Sequence, residues 1–318
     1  METIHACLAH AEAVSTSVSC VADSLKNLVP RLGKRGPHRV LTGDLNFAGI
    51  PGRVYTPAEG KGIPGIAFGH DWRVGVKAYH ATLRHLASWG FAVAAPDTER
   101  GVLPNHRGFA SDLETSLQIL AGVKLGQGNV TVHPSKLYLA GHGMGAAAAV
   151  LAATAREYVK DSFDSYGDKP TLAGVMAVYP ADATPSPYDA AQHVDAPGLV
   201  LSPGGIHAAP SGNPERLAAN WQGEVVYRRM DKASQAGFHE NYGRRLVMGS
   251  GLPEFAAQET VRGLMTGFVL ADESRKYEAF RDPRAELKNT SVKDQLELYR
   301  ELPENIDVEE ALSNIRLG

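Results

Sequence analysis

Cysteine is nearly missing from this chain: Cys7 and Cys20 are the only two in 318 residues. Both fall in one candidate helix, where thirteen residues at ~1.5 Å of rise separate them by roughly 20 Å. They cannot bridge within that helix, and a structure stapled by disulfides is excluded. No apolar run approaches the ~20 residues of a membrane span, and the first residues lack a basic stretch followed by an apolar one. The chain therefore reads as cytoplasmic and without a transmembrane segment. Basic excess is also missing, since 32 Lys and Arg face 35 Asp and Glu for a net charge of -3. That balance argues against nucleic acid as a partner. Helix-spaced His or Cys clusters are lacking, so neither a metal nor another cofactor is expected, and His5 and His10 lie outside the expected core.

What the chain does have is repetition of strand and helix. Apolar runs at Gly52 to Thr56, Ile63 to Phe68, Phe91 to Ala95, Lys136 to Ala140, Gly174 to Tyr179, Gly198 to Leu201 and Gly223 to Arg228 read as strands. The four from Ile63 to Tyr179 do not alternate cleanly, as expected of parallel strands buried on both faces. Helical patterns at Ala78 to Trp89, Gly108 to Val123, Gly145 to Val159 and Glu254 to Leu270 separate most of them. This predicts an α/β fold: a mostly parallel central sheet with helices on both faces.

Two extensions flank that domain. Residues 1–36 form an N-terminal helical extension, with Val14, Val18, Val21, Leu25, Leu28 and Leu32 in one stripe before the break at Gly33-Lys-Arg-Gly-Pro37. Residues 37–270 form the α/β domain, and 271–318 a charged C-terminal helical arm. The stripe is expected to pack on its own domain. Docking of a protein partner through it or through the arm, and peripheral contact with a membrane surface, stay open.

The segment Lys136-Leu-Tyr-Leu-Ala-Gly-His-Gly-Met-Gly145 joins a strand to a helix through a glycine turn. It has the outline of the nucleophile elbow G-x-S-x-G, with Gly143 where the serine would stand. Glycine suits a turn residue with φ > 0, so the missing hydroxyl costs the turn nothing. No other G-x-S-x-G occurs, and Ser202 and Ser250 do not sit between a buried strand and a helix. Gly141-x-Gly143-x-x-Ala146 also matches the dinucleotide fingerprint, but the following strand, Gly174 to Tyr179, lacks the acidic residue at its end, and the match lies mid-chain.

Taken with Phe68-Gly-His-Asp-Trp72, Ala94-Ala-Pro-Asp-Thr98 and Gly237-Phe-His239, all in matching order, the stretch from about Arg39 to Thr290 resembles the α/β-hydrolase fold. Within it, the chain is most similar to the dienelactone-hydrolase, cutinase-like and polyester-hydrolase branch. The resemblance implies a base at His239 and oxyanion donors at the backbone N–H of Met144 and of His70 or Asp71. It implies an acid after the strand Gly198 to Leu201, at Ile206 when Ala209-Pro210 is matched to the family's Ala-Pro. No carboxylate occurs between Leu199 and Asn213. His142 reads as structural, while His70, Asp71 and Trp72 are candidates for the pocket wall.

With nucleophile and acid positions both degenerate, the expectation is a protein without serine hydrolase activity that binds a small acyl or ester-like ligand or a protein. The alternative is an enzyme of the hydrolase or lyase type, acting on an ester- or lactone-like substrate with His239 as general base and no serine nucleophile.

Overall fold

The computed structural model describes residues 25, 27–162, 172–204, 211–240 and 253–303. Cys7, Cys20, His5, His10, the first part of the N-terminal stripe, Ser250 and Ile206 lie outside them. Among the described residues, nine strands form one sheet: β1 (Val40–Asp44), β2 (Gly52–Pro57), β3 (Gly60–Gly69), β4 (Ala92–Pro96), β5 (Val130–His142), β6 (Leu172–Val178), β7 (Gly198–Pro203), β8 (Val225–Met230) and β9 (Ser291–Val292). Their order is β1-β2-β4-β3-β5-β6-β7-β8-β9. The six from β3 to β8 run parallel, while β1, β2 and β9 are antiparallel to their neighbours.

Among the described residues, helices accompany the sheet at α1 (His80–Ser88), α2 (His106–Gly122), α3 (Met144–Ser162), α4 (Pro187–Ala191), α5 (Pro214–Ala219), α6 (Phe255–Leu270) and α7 (Gln295–Glu301). Alternate residues of each central strand feed two separate cores. Ala67, Ala94, Leu139, Val175 and Val200 meet Phe109, Leu113, Ala149 and Val150 from α2 and α3. Phe68, Val93, Tyr138, Met176 and Leu201 meet Leu83 and Leu86 from α1 and Val261, Met265 and Phe268 from α6. Both faces of the sheet are thus buried, which explains why its parallel strands read as continuous apolar runs.

The structure also draws in sequence on either side of the alternating pattern. Leu28, Val29 and Leu32, in the helical turns at residues 27–33, are buried in the second core. At the other end, β9 pairs with β8, and Leu298 and Leu302 enter the first core. The buried guanidinium of Arg228 holds this end, donating to the carbonyls of Ala285 (2.7 Å), Asp282 (3.1 Å) and Ala279 (3.3 Å). The composition of residues 271–303 gave little sign of this, because a few well-placed leucines and backbone carbonyls provide the attachment. Strand β1 was not anticipated either: it is a half-exposed edge strand without a buried face.

The ends of β3 and β5 meet the start of α3 in unusually close contact. A Cβ on Gly145 would lie 2.2 Å from the Gly69 carbonyl, and one on Gly141 would lie 2.2 Å from that of Gly145. Only glycine permits this approach, which puts the residues after β3 beside the helix N-terminus.

Candidate functional site

The turn after β5 follows the expectation for an elbow. Gly143 has φ +55°, its N–H donates to the Val178 carbonyl at 3.0 Å, and α3 begins at the next residue. What fills the space above it was not expected. A Cβ on Gly143 would lie 1.9 Å from Asp71 Oδ1, so the carboxylate of Asp71 occupies the place of the missing side chain.

Asp71 is held there by backbone donors. Oδ1 accepts from Met144 N–H at 3.0 Å and from Trp72 N–H at 2.8 Å. Met144 opens the 19-residue helix α3, whose N-terminal N–H groups and dipole favour an anion. Oδ2 lies 3.4 Å from His239 Nε2, a close approach without hydrogen-bond alignment, and 4.0 Å from His142 Nδ1. Burial by itself would raise the Asp71 pKa. The close approach of His239, the neighbouring His142 imidazole and the Met144 N–H outweigh it and hold the group at about 2. The carboxylate is ionised at neutral pH.

Met144 N–H, one of the expected oxyanion donors, and Trp72 N–H both donate to Asp71 Oδ1. Asp71 N–H turns inward to the phenol oxygen of Tyr79 at 3.0 Å, which aims the Asp71 side chain at the elbow. The Met144 N–H is therefore taken by a carboxylate of the chain itself.

The other expected residues take distinct places. His70 is fully buried, its two nitrogens 2.9 and 2.8 Å from the carbonyl oxygens of Asp71 and Thr98, and its ring packs against Phe109. It braces the loop and does not line an opening. His142 is also fully buried. Its Nε2–H donates to the Gln235 carbonyl at 3.0 Å, so Nδ1 accepts from the Tyr79 hydroxyl at 2.9 Å. Burial pushes its pKa down to about 3 despite the charge on Asp71, so the ring is neutral and fixed in one tautomer. Trp72 is 47% exposed at the rim, its Nε1–H donating to the Val102 carbonyl at 3.2 Å. His239 follows a short turn after β8, stands 5.0 Å from His142 between ring centres, and leaves 14% of its side chain exposed.

Several positioning groups were given no role from the sequence. Gln258 on α6 is buried and donates to the carbonyls of Gly237 (2.8 Å) and His239 (3.0 Å). Glu240, next to His239, accepts from Ala81 N–H (2.6 Å), Thr82 N–H (2.7 Å) and Arg262 (2.8 Å), tying the histidine loop to the start of α1. Asp97 of the Ala-Ala-Pro-Asp-Thr segment accepts from Val76 N–H at 2.9 Å and steadies the Asp71 loop from the other side. Asp71 itself carried one usable clue. It is a charged residue at the end of a buried strand, opposite an elbow that lacks its side chain.

Asp71, His142 and His239 each offer a ligand atom within 4.8 Å of one another. Both nitrogens of His142 already have partners, so a metal bound by all three would have to displace Tyr79. A cavity of about 760 Å³ borders α2, α3 and α4, but Asp71, Gly143 and His239 are not among its lining residues. Among the described residues no helix is long and apolar enough to cross a membrane. No protein-family model matches the chain, and no curated protein matches it.

Proposed function

We propose that this chain is an α/β-hydrolase-like protein without serine hydrolase activity, whose elbow carries a carboxylate–imidazole pair, Asp71 and His239, facing a small ligand. The order of the central strands, the glycine elbow after β5 and the histidine after β8 support the hydrolase-like reading. One observation carries the loss of the serine mechanism. Asp71 Oδ1 fills the space a side chain at position 143 would enter, and at the same time it takes the Met144 N–H. An acyl oxyanion would need that same donor, and a second negative charge beside Asp71 is unfavourable.

A second reading, that His239 acts as a general base, is favoured by its environment. Its Nε2 is buried, faces a carboxylate and has no aligned hydrogen bond among the described residues. Asp71 would stabilise the imidazolium that forms on proton uptake. The ester- or lactone-like ligand implied by the resemblance is compatible with either reading.

The test is hydrolysis of short p-nitrophenyl esters by the full chain, with His239→Ala as the control. Turnover indistinguishable from the control is expected. Hydrolysis that depends on His239 but survives Asp71→Asn would overturn the proposal, because it would require a nucleophile other than the pair.

A further inference from the structure

We infer that Asp71, His142 and His239 form a binding site for a divalent transition ion, zinc foremost, with Asp71 Oδ2, His142 Nδ1 and His239 Nε2 as the ligand atoms. The inference rests on the reading that Asp71 and His239 share the elbow in place of a serine centre, and deepens it by naming what they bind.

The three residues arrive from separate parts of the sheet. Asp71 follows β3, His142 ends β5, and His239 comes after β8 on a short turn. Their ligand atoms nevertheless lie within 4.8 Å of one another, and each presents a lone pair to the others. Oδ1 of Asp71 is taken by the N–H groups of Met144 and Trp72, which leaves Oδ2 as the one oxygen available to an ion. His142 donates from Nε2 to the Gln235 carbonyl, so its lone pair is on Nδ1. A carbonyl placed behind an imidazole in this way fixes the tautomer and orientation that a metal ligand needs. His239 Nε2 is buried beside Oδ2 and has no hydrogen-bond partner among the described residues. A buried nitrogen facing a carboxylate requires a positive charge between them. A shared proton needs a straight line from nitrogen to oxygen, which the pair lacks; a metal ion bonds to both at an angle.

The separations and the donor set select the ion. Ligands of a tetrahedral zinc ion, each about 2.0–2.1 Å from it, stand about 3.3–3.4 Å apart. Oδ2 and His239 Nε2 are already at 3.4 Å, and Oδ2 and His142 Nδ1 are at 4.0 Å. A closure on the order of 1 Å toward the fixed His142 ring completes the set, taken up by the loops that carry Asp71 and His239. The Tyr79 hydroxyl gives up its donation to Nδ1 but still accepts the Asp71 N–H. Two imidazoles with one carboxylate suit zinc, whereas calcium and magnesium favour oxygen throughout. The rings of Tyr79 and Phe238 stand edge-on to His239 and His142 and shield the ligands from water. Asp71 and His239 each leave 14% of the side chain exposed, and on that side a fourth position is open to an oxygen of a small ligand.

The experiment titrates zinc chloride into the full-length chain, freed of metal by a chelator and carrying Cys7→Ser and Cys20→Ser, in competition with a chromophoric zinc indicator. One equivalent is expected to bind, with affinity falling by on the order of 10²-fold in Asp71→Asn and in His239→Gln. Asn keeps the oxygen that accepts from Met144 and Trp72, so this variant tests the ligand rather than the loop. Cobalt(II) in place of zinc should give the visible bands of a four-coordinate ion, lost in either variant. In the chain with all three ligands intact, zinc should move the ¹⁵N resonances of His142 Nδ1 and His239 Nε2 together. Zinc held equally well by both variants overturns the inference, because other side chains then bind it. Failure to bind at micromolar free zinc overturns it too, as does a His142 Nδ1 signal that zinc leaves unmoved. Ester hydrolysis by the metal-free chain that survives Asp71→Asn would instead remove the underlying reading, so the two failures are distinguishable.

Discussion

The carboxylate of Asp71 stands where the side chain of residue 143 would begin, 1.9 Å from a Cβ built on Gly143. The two positions are mutually exclusive for any residue larger than glycine, and this relationship sets the first expected outcome. Gly143→Ser should destabilise the fold by about 2–4 kcal/mol, combining a left-handed backbone unsuited to serine with overpacking against the carboxylate. It should confer no esterase activity. Adding Asp71→Gly should return a substantial part of the loss, with a coupling of about 1–3 kcal/mol between the two sites in urea denaturation. Additive effects would mean that the side chains do not compete for this space.

Tyr79 links the two residues that shape the site. Its hydroxyl accepts the Asp71 N–H and donates to His142 Nδ1, and burial together with the nearby Asp71 charge keeps it a phenol by raising its pKa well above the usual value. Tyr79→Phe removes one oxygen and leaves both partners buried and unpaired. A loss of about 2–3 kcal/mol is expected in denaturation, together with a changed ¹⁵N signature at His142 Nδ1. An unchanged His142 signal would show that the phenol does not fix its tautomer.

Neutral buried histidines set an acid limit. Burial pushes both His142 and His85 down to about 3 from 6.5. The folded value lies below the unfolded one, so as pH falls the unfolded chain takes up each proton first. Their contribution to stability is complete above about pH 6.5 and declines toward pH 3, by up to about 1.4 kcal/mol per pH unit for each ring. Asp71, lowered from 3.8 to about 2, adds a further loss only below about pH 4. Urea denaturation across this range should show the slope, and His85→Gln should reduce it by roughly half.

Arg228 anchors the chain after α6. With its guanidinium buried against three carbonyls, Arg228→Met should cost about 3 kcal/mol. Faster amide exchange in residues 279–292 than in β5 should accompany it. Equal protection in both segments would argue that the leucines of α7, not Arg228, secure this end.

Local sequence determined the central strands and the four longest helices of the α/β domain, but not the edge strand β1 or the short helices α4 and α5. Continuous apolar runs mark strands buried on both faces, helical periodicity marks their covers, and a glycine with φ > 0 marks the elbow. These signals lie within a few residues of one another along the chain, so they can be read without knowing what packs where. The absence of a serine at position 143 was legible in the same way. What stands in its place was not. Asp71 and Gly143 are brought together by the close approach of Gly69 and Gly145, and Asp71 is turned toward the elbow by a phenol from the start of α1 and two backbone N–H groups. None of these contacts leaves a pattern in any one segment. Sequence decided that the hydroxyl is gone, because a side chain is a local property. Only the tertiary structure decided that a carboxylate replaces it, because which groups share a space depends on how separate strands and helices close around one point.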